Sequence, residues 1–166
     1  MENIPEHPTR SKSNHSIAND DLKEKLDALA LALTDQCCYH CYWIVREEKC
    51  PLCGNDDFMR HLPHVGVEYG TEWVIEHLIK EHCTPIDTEE LFEELLNETC
   101  EMVKIGTLEY EPGYVLRNID PVAFRCGVSD MLSDDEQYIE VDGQYYNVYD
   151  VENMIEELSE GANDEN

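Results

Sequence analysis

The chain has 166 residues, which is about the length of one domain, or of one domain with a small extra module. It contains 11 basic and 38 acidic residues, so its formal net charge is −27. Such a charge repels nucleic acid and anionic membrane surfaces, and it attracts proteins with basic surfaces. No stretch approaches the roughly 18 apolar residues of a membrane-spanning helix. The composition therefore argues against a membrane-spanning protein and against a binder of bare nucleic acid.

The N-terminal stretch over 1–18 is polar, contains two prolines and shows no hydrophobic periodicity, which predicts a disordered tail. It lacks the apolar segment of a secretory signal, so we expect a cytoplasmic protein whose thiols stay reduced. In that compartment, clustered cysteines hold a metal more often than they form disulfides.

A helix is predicted over 19–36, because leucines recur there at helical spacing. Its apolar stripe consists of Leu22, Leu26, Leu29 and Leu33. A cysteine-rich block over 37–60 follows. Residues 61–70 contain one proline and two glycines, which predicts a connector with a short extended piece.

The residues over 71–160 predict a mostly helical acidic domain. Thr71 opens one helix of this domain. Asp87 can cap the next helix, whose apolar stripe continues to Val103 and stops at Gly106.

Two short helices are predicted next, one opened by Pro112 and the other by Pro121. The pair Asp142–Gly143 lies inside an alternating apolar pattern, which predicts a two-residue β-hairpin turn. Asp150 can cap a last short helix, and a disordered acidic tail is expected over 161–166.

The cysteine block contains two C-x-x-C pairs, Cys38 with Cys41 and Cys50 with Cys53, separated by eight residues. Four thiolates at about 2.3 Å satisfy a tetrahedral Zn²⁺ ion and leave no coordination position open. The spacing therefore predicts a structural zinc site without a catalytic role.

Some neighbouring residues support this prediction, and others are alternative ligands. Pro51 stiffens the second turn, and Gly54 just after it can adopt the positive φ that a tight turn needs. Cys37 and His40 lie close enough in sequence to replace Cys38 as a ligand.

Residues 38–54 resemble a short rubredoxin-like zinc ribbon, with the four cysteines at the ligand positions of that family. The resemblance implies two metal-binding turns joined by a hairpin. A rubredoxin-type iron site, a redox-active dithiol and four unrelated thiols are alternative interpretations of these residues. The predicted fold class is α+β, with a small four-cysteine zinc ribbon joined to a mostly helical acidic domain that has a C-terminal β-hairpin.

Other candidate chemistry lies after the cysteine block, where histidines could form a second metal site or pair with a cysteine nucleophile. These histidines are His61, His64, His77 and His82. Packing or surface histidines are the default interpretation, and the sequence has no phosphate-binding loop or serine-nucleophile turn. We therefore predict no enzymatic activity, and an enzyme that uses the region from His61 to Cys83 is an alternative. Cys83, Cys100 and Cys126 are expected to be small buried apolar groups.

The predicted helix from Thr88 to Val103 carries six glutamates. Glutamates four positions apart rise by about 6 Å along a helix, which is near twice the ~3.4 Å rise per base of one DNA strand. A row of such carboxylates could imitate the phosphates of nucleic acid.

The leading hypothesis is a small zinc-binding protein that binds the basic surface of another protein, one that handles nucleic acid. It would act as phage- or plasmid-type inhibitors that mimic nucleic acid do. The alternative from another class is a nucleic-acid-binding zinc ribbon, such as a transcription accessory factor. That alternative depends on a basic and aromatic patch, which consists of Tyr42, Trp43, Arg46, Lys49 and Arg60.

Overall fold

The structure is a computed structural model in which residues 20–134 and 136–163 are described. The tail predicted over 1–18 lies outside the described residues. The helices are α1 (Asp20–Leu33), α2 (Glu72–His82), α3 (Thr88–Thr99), α4 (Pro112–Ile119), α5 (Pro121–Asp134) and α6 (Val148–Asn163). The strands are β1 (Asp35–Cys38), β2 (Ile44–Val45), β3 (Phe58–Leu62), β4 (Gly66–Glu68), β5 (Val103–Ile105), β6 (Leu108–Tyr110), β7 (Tyr138–Val141) and β8 (Gln144–Asn147).

These elements confirm the predicted α+β class. The largest sheet has the strand order β2-β1-β3-β4, and each neighbouring pair is antiparallel. The other two sheets are the hairpins β5–β6 and β7–β8. None of the helices within the described ranges has both the length and the apolar character needed to cross a membrane.

The first helix is shorter than the prediction over 19–36. Helix α1 ends at Leu33, and the Thr34 hydroxyl donates a hydrogen bond to a carbonyl of the last helical turn at 2.6 Å. Asp35 then pairs with His61 across the sheet. Pairing with a strand that lies far along the chain therefore ends the helix, and helical periodicity gives no sign of it.

Half of the residues in the connector predicted over 61–70 belong to the sheet. Strand β3 continues to Leu62, and β4 is the extended piece expected in this stretch. The intervening turn is closed by a hydrogen bond from Val65 N to the Leu62 carbonyl at 3.1 Å, and His64 in it has a φ of 66°. Proline and glycine mark a tight hairpin turn as readily as a connector.

The main hydrophobic core lies between α1, α2, α6 and the hairpin β7–β8. The predicted stripe of α1 faces this core, where Leu22, Leu26 and Leu29 are buried. Tyr146 of β8 is fully buried there as well. Leu62 at the end of β3 belongs to the same core, so the largest sheet is anchored to the helices.

The predicted C-terminal hairpin is confirmed. Asp142 and Gly143 form its turn with φ values of 51° and 77°. A two-residue turn of the type I′ kind requires positive φ at both positions, which aspartate tolerates and glycine favours.

The last helix is longer than predicted at both ends. It begins at Val148 instead of after a cap at Asp150, because the Asn147 side chain accepts a hydrogen bond from a first-turn N–H at 2.9 Å. It continues to Asn163, so the first three residues of the tail predicted over 161–166 are helical. The remaining three lie outside the described residues.

A second, smaller core lies between α3, α4 and α5. Phe92, Phe124 and Val128 are buried in it, and the two phenylalanine rings meet edge to face with centroids 5.2 Å apart. The predicted cap of α3 is confirmed, since the Asp87 carboxylate accepts hydrogen bonds from two first-turn N–H groups at 3.0 and 3.1 Å.

The stripe predicted for this helix is too long. Helix α3 ends at Thr99, Cys100 is exposed, and Val103 belongs to β5. Gly106 has a φ of 66° and lies in the turn of the hairpin β5–β6. A glycine with positive φ suits a helix end and a hairpin turn equally well, so the sequence alone could not tell which of the two structures contains Gly106. Cys126, expected to be buried, is exposed.

Helices α3 and α4 approach each other closely at Gly113. Its N–H donates a hydrogen bond to the Asn97 side chain at 2.9 Å. A Cβ atom at this position would lie 2.7 Å from the backbone oxygen of Glu93, a distance that side chains do not tolerate. The absence of a side chain at Gly113 therefore allows the two helices to pack.

We predict that Gly113→Ala lowers the free energy of unfolding by about 1–3 kcal/mol, because the added methyl group pushes against the backbone of α3. The matched control is Gly161→Ala in α6, where an added Cβ has no neighbour within 4 Å. That control is expected to be neutral or to stabilise by up to about 1 kcal/mol through helix propensity. Urea unfolding of both variants measures the difference, and equal values would contradict the close approach.

Candidate metal centre

The second cysteine pair lies in a loop with a defined backbone conformation. The N–H of Gly54 donates to the Cys50 carbonyl at 2.8 Å, and the N–H of Cys50 donates to the Asn55 carbonyl at 2.8 Å. Gly54 has a φ of 74°, the left-handed conformation expected from its position. These two hydrogen bonds turn the chain so that the side chains of both cysteines face one side.

The first cysteine pair repeats the same conformation. The N–H of Tyr42 donates to the Cys38 carbonyl at 2.9 Å, and the N–H of Cys38 donates to the Trp43 carbonyl at 2.9 Å. Tyr42 stands where the second loop has Gly54, and it also has a positive φ, of 57°. The two loops are therefore equivalent in backbone, although one uses tyrosine where the other uses glycine.

The loops bring the four predicted ligands together. The sulfur of Cys38 lies 3.5 Å from that of Cys53, and the sulfur of Cys41 lies 3.4 Å from Cys50 and 3.8 Å from Cys53. All four sulfur atoms lie within 4.8 Å of one another. Four sulfurs at tetrahedral corners about 2.3 Å from one ion would be separated by about 3.8 Å. These distances therefore fit a single tetrahedral ion.

The same distances exclude disulfide bonds, which join sulfurs at about 2.05 Å. All eight cysteines are free thiols. The cysteine block is therefore not a disulfide framework.

The sheet sets the position of the cluster. Cys38 is the last residue of β1 and lies opposite Phe58, the first residue of β3. Cys38 and Cys50 are buried beside Val45, whereas Cys53 is exposed. An ion held here would be enclosed by the sheet on one side and would lie near solvent on the other.

Backbone donors also favour the thiolate form of one ligand. Burial acts to raise the pKa of Cys50, but hydrogen bonds from the backbone N–H groups of Leu52 and Cys53, together with the neighbouring thiols, lower it to about 7. Since a thiolate is the form that binds metal, this environment prepares Cys50 for coordination near neutral pH.

The two residues that could have replaced Cys38 lie elsewhere. Cys37 is adjacent in β1 and therefore faces the opposite side of the sheet, where it lies between Ile44 and Met59. It is buried, and burial raises its pKa. His40 is exposed in the first loop, and neither side chain belongs to the four-sulfur cluster.

The histidines after the cysteine block do not converge. Across the described residues, the group of Cys38, Cys41, Cys50 and Cys53 is the one set of such side chains found close enough to share an ion. His77 instead lies 2.9 Å from Glu81, one turn later on α2.

Cys83 is a buried residue of the main core, as expected from the sequence. Burial and the nearby charge of Asp150 raise its pKa. Its sulfur contacts that of Met154 at 4.0 Å. A raised pKa leaves little thiolate at neutral pH, which is unfavourable for a nucleophile.

Exposed aromatic side chains lie in and next to the first cysteine loop. The sequence singled out Tyr42 and Trp43, both of which are exposed. Tyr39 and Tyr69 are exposed as well, and their ring centroids lie 5.7 Å apart. The contact joins residues 30 positions apart in sequence, so only the pairing of the strands reveals it.

Comparison of the chain with protein-family models, with curated proteins and with solved structures found no match. The arrangement of the four sulfur atoms is consistent with a zinc ribbon, and it identifies this cluster as the candidate site.

We predict that Cys50→Ser abolishes stoichiometric metal binding, because three thiolates and a hydroxyl hold a tetrahedral thiophilic ion poorly. Cys100→Ser, at an exposed position outside the cluster, is the matched control and should keep the ion. Elemental analysis of both purified proteins measures the outcome. Cys37→Ala should also keep the ion, and loss of metal from that variant would contradict the assignment of Cys38.

The equivalence of the two loops gives a second prediction, on stability. Tyr42→Gly should raise the free energy of unfolding of the metal-bound protein by about 1 kcal/mol, because glycine adopts positive φ without steric cost. Gly54→Ala should lower it by a similar amount for the same reason. Thermal unfolding tests both variants, and a destabilised Tyr42→Gly protein would show that the side chain itself supports the fold.

Proposed function

We propose that Cys38, Cys41, Cys50 and Cys53 bind one structural Zn²⁺ ion, and that the protein acts by binding a basic surface of another protein. Four thiolates fill the tetrahedral shell of zinc and leave no site for substrate. The buried cluster around the cysteines contains only Val45 and Phe58 besides ligands, among the described residues. So small an apolar core gives little stability, and the ion would supply the folding free energy of this segment.

The distribution of charge supports the proposed basic partner. Several of the few basic side chains form ion pairs within the chain, since Lys80 contacts Asp142 at 2.6 Å and Lys104 contacts Glu109 at 3.0 Å. Each such pair also neutralises one carboxylate, so the surface stays strongly anionic because 38 acidic residues outnumber 11 basic ones. An anionic surface accelerates and strengthens association with a cationic one.

Helix α3 presents the carboxylates that best suit this role. Arg117 of α4 binds Glu89 at 2.6 Å and Glu93 at 3.1 Å, so the row predicted from the sequence is partly neutralised. The next row along the helix is exposed and has no ion pair among the described contacts. It consists of Glu90, Glu94 and Glu98, and is called here the α3 carboxylate row.

The spacing of the α3 carboxylate row carries the proposal that the partner handles nucleic acid. Its carboxylates are four residues apart and therefore rise by about 6 Å per step, which is near every second phosphate of a strand with a ~3.4 Å rise. A protein channel that binds phosphates with lysine and arginine could accept this row instead. The protein would then act as an inhibitor that occupies a nucleic-acid site.

The metal part of the proposal predicts one zinc ion per chain in protein purified without a tag. Removing it with a chelator, or lowering the pH until protons displace the ion from the thiolates, should unfold the ribbon, because protons compete with metal for thiolates. Elemental analysis and amide NMR spectra measure both effects. Iron in place of zinc, or an unchanged ribbon in chelator, would contradict it.

The partner part is tested by affinity capture from the native host with the full chain, followed by binding measurements with the captured protein. Glu90→Gln/Glu94→Gln/Glu98→Gln should weaken binding at least tenfold, and added duplex DNA should compete with the chain. Binding should also weaken steeply as salt rises.

The matched control changes three glutamates with the same spacing on α6, as Glu152→Gln/Glu156→Gln/Glu160→Gln. This variant has the same net charge as the α3 variant, so a difference between the two isolates the α3 carboxylate row. Equal weakening by both variants, or a ternary complex that keeps nucleic acid in place, would contradict the proposed mimicry. If the α3 variant binds the partner as the unchanged chain does and alters only the salt dependence of unfolding, the α3 carboxylate row keeps the surface hydrated and does not bind the partner.

A further inference from the structure

Three exposed tyrosines and one carboxylate lie together beside the metal centre. The rings of Tyr39 and Tyr69 are tilted by 36° with centroids 5.7 Å apart. The Tyr69 hydroxyl donates a hydrogen bond to the Asp57 carboxylate at 2.9 Å, and the Tyr39 N–H donates to the Asp57 carbonyl at 3.1 Å. Asp57 therefore fixes the two tyrosines relative to each other through its side chain and its backbone.

The third tyrosine, Tyr42, lies near the same group. Partial burial, the hydrogen bond to Asp57 and the charge of that carboxylate raise the pKa of Tyr69 to about 12, with smaller contributions from Tyr39 and Tyr42. Burial is the largest of these causes, and the negative Asp57 carboxylate adds to it. That carboxylate also attracts a cation. The set Tyr39, Tyr42, Tyr69 and Asp57 is called here the tyrosine cluster.

Two observations indicate that the tyrosine cluster serves something other than folding. Tyr39, Tyr42 and Tyr69 are 51, 66 and 49 % exposed, so each leaves about half or more of its surface in water. Tyr42 also keeps a left-handed backbone conformation at the position where the equivalent loop has Gly54. A strained residue that a glycine would relieve is typical of a site under functional constraint.

We infer that the tyrosine cluster binds the cationic side chain of an arginine or lysine on the partner protein. A cation is attracted to the faces of aromatic rings within about 6 Å of their centroids. The Asp57 carboxylate, which accepts one hydrogen bond from Tyr69, has further lone pairs to accept bonds from a guanidinium or ammonium group. This inference deepens the proposed function, since it assigns an anchoring site for the basic partner.

Charge decides between a cation and the other group that aromatic rings bind, a nucleotide base. Bases bring phosphates with them, and these would approach Asp57 and a chain of net charge −27. A basic side chain is favoured instead, because the rings, the Asp57 carboxylate and the net negative charge of the chain all attract it. Arginine is favoured over lysine because its planar guanidinium can stack on a ring and bind the carboxylate together.

The experiment uses the zinc-loaded full chain and a short synthetic peptide of alternating arginine and glycine, with affinity measured by calorimetry. Tyr39→Leu and Tyr69→Leu keep apolar volume but remove the ring, and each should weaken binding about two- to fivefold. Tyr149→Leu is the matched control, since Tyr149 is 67 % exposed on α6 far along the chain from the ribbon, and it should leave affinity unchanged.

Further variants separate the contributions within the cluster. Tyr42→Gly should weaken binding of the peptide and also stabilise the fold, so a loss of affinity in this variant cannot be attributed to unfolding. Asp57→Asn should weaken it as well, although the amide oxygen can still accept the Tyr69 hydrogen bond. Metal content and amide NMR spectra establish that each variant is folded.

The outcomes distinguish this inference from the proposed function. If the tyrosine variants bind the peptide as the control does, while the Gln variant of the α3 carboxylate row binds it more weakly, the inference is wrong and the proposed function stands. The opposite result is that the tyrosine variants bind the peptide more weakly, while the captured partner binds the Gln variant of the α3 carboxylate row as tightly as the unchanged chain. In that case the inference stands and the proposed mimicry does not. Binding of a single-stranded DNA oligonucleotide to the tyrosine cluster, lost in Tyr69→Leu, would overturn the inference in favour of base stacking.

Discussion

The convergence of four cysteine sulfurs at one end of a short sheet is the constraint on which the arrangement of the N-terminal half depends. Strands β1 and β3 pair over four residues, from Asp35 opposite His61 to Cys38 opposite Phe58. One end of this pair leads into the main core through Leu62, and the other end carries the cysteine cluster. At about 3.3 Å per residue, the strands form a link of only about 13 Å between the two. Loss of the cluster would therefore leave the outer end of the sheet without an apolar core to hold it.

In the smaller core, one arginine takes part in several contacts between helices. Arg117 holds two glutamates of α3 and also lies 5.7 Å from the centre of the Phe124 ring, so one cation connects the three helices of the smaller core. Exposed ion pairs of this kind contribute at most about 1 kcal/mol each. The packing of Phe92 against Phe124 accounts for more of the cohesion, and the carboxylates left on the outer row of α3 remain available for contacts with another molecule.

The two cysteine loops share one backbone conformation but differ in the residue that follows the second cysteine. Both loops close with the same pair of hydrogen bonds, and both need a residue with positive φ after the second cysteine. In the Cys50 loop that residue is Gly54, which meets the need without steric cost. In the Cys38 loop it is Tyr42, which meets it less well and whose side chain is exposed. The backbone of the first loop is therefore expected to be the more strained of the two.

The sequence by itself determined what local chemistry dictates: the C-x-x-C pairs, the Asp87 cap, the leucine stripe of α1 and the turn at Asp142–Gly143 all specify structure within a few residues. It did not determine where α1 ends, that Gly106 lies in a hairpin turn, or that residues 61–70 extend the sheet, because strand pairing joins distant segments and leaves no local periodic signal. Tertiary structure alone separated Cys37 from the sulfur cluster, paired Arg117 with two of the six glutamates on the predicted helix, and placed Tyr69 against Tyr39. Each of these depends on which face or strand a side chain occupies in the folded chain, and spacing along the sequence cannot fix that.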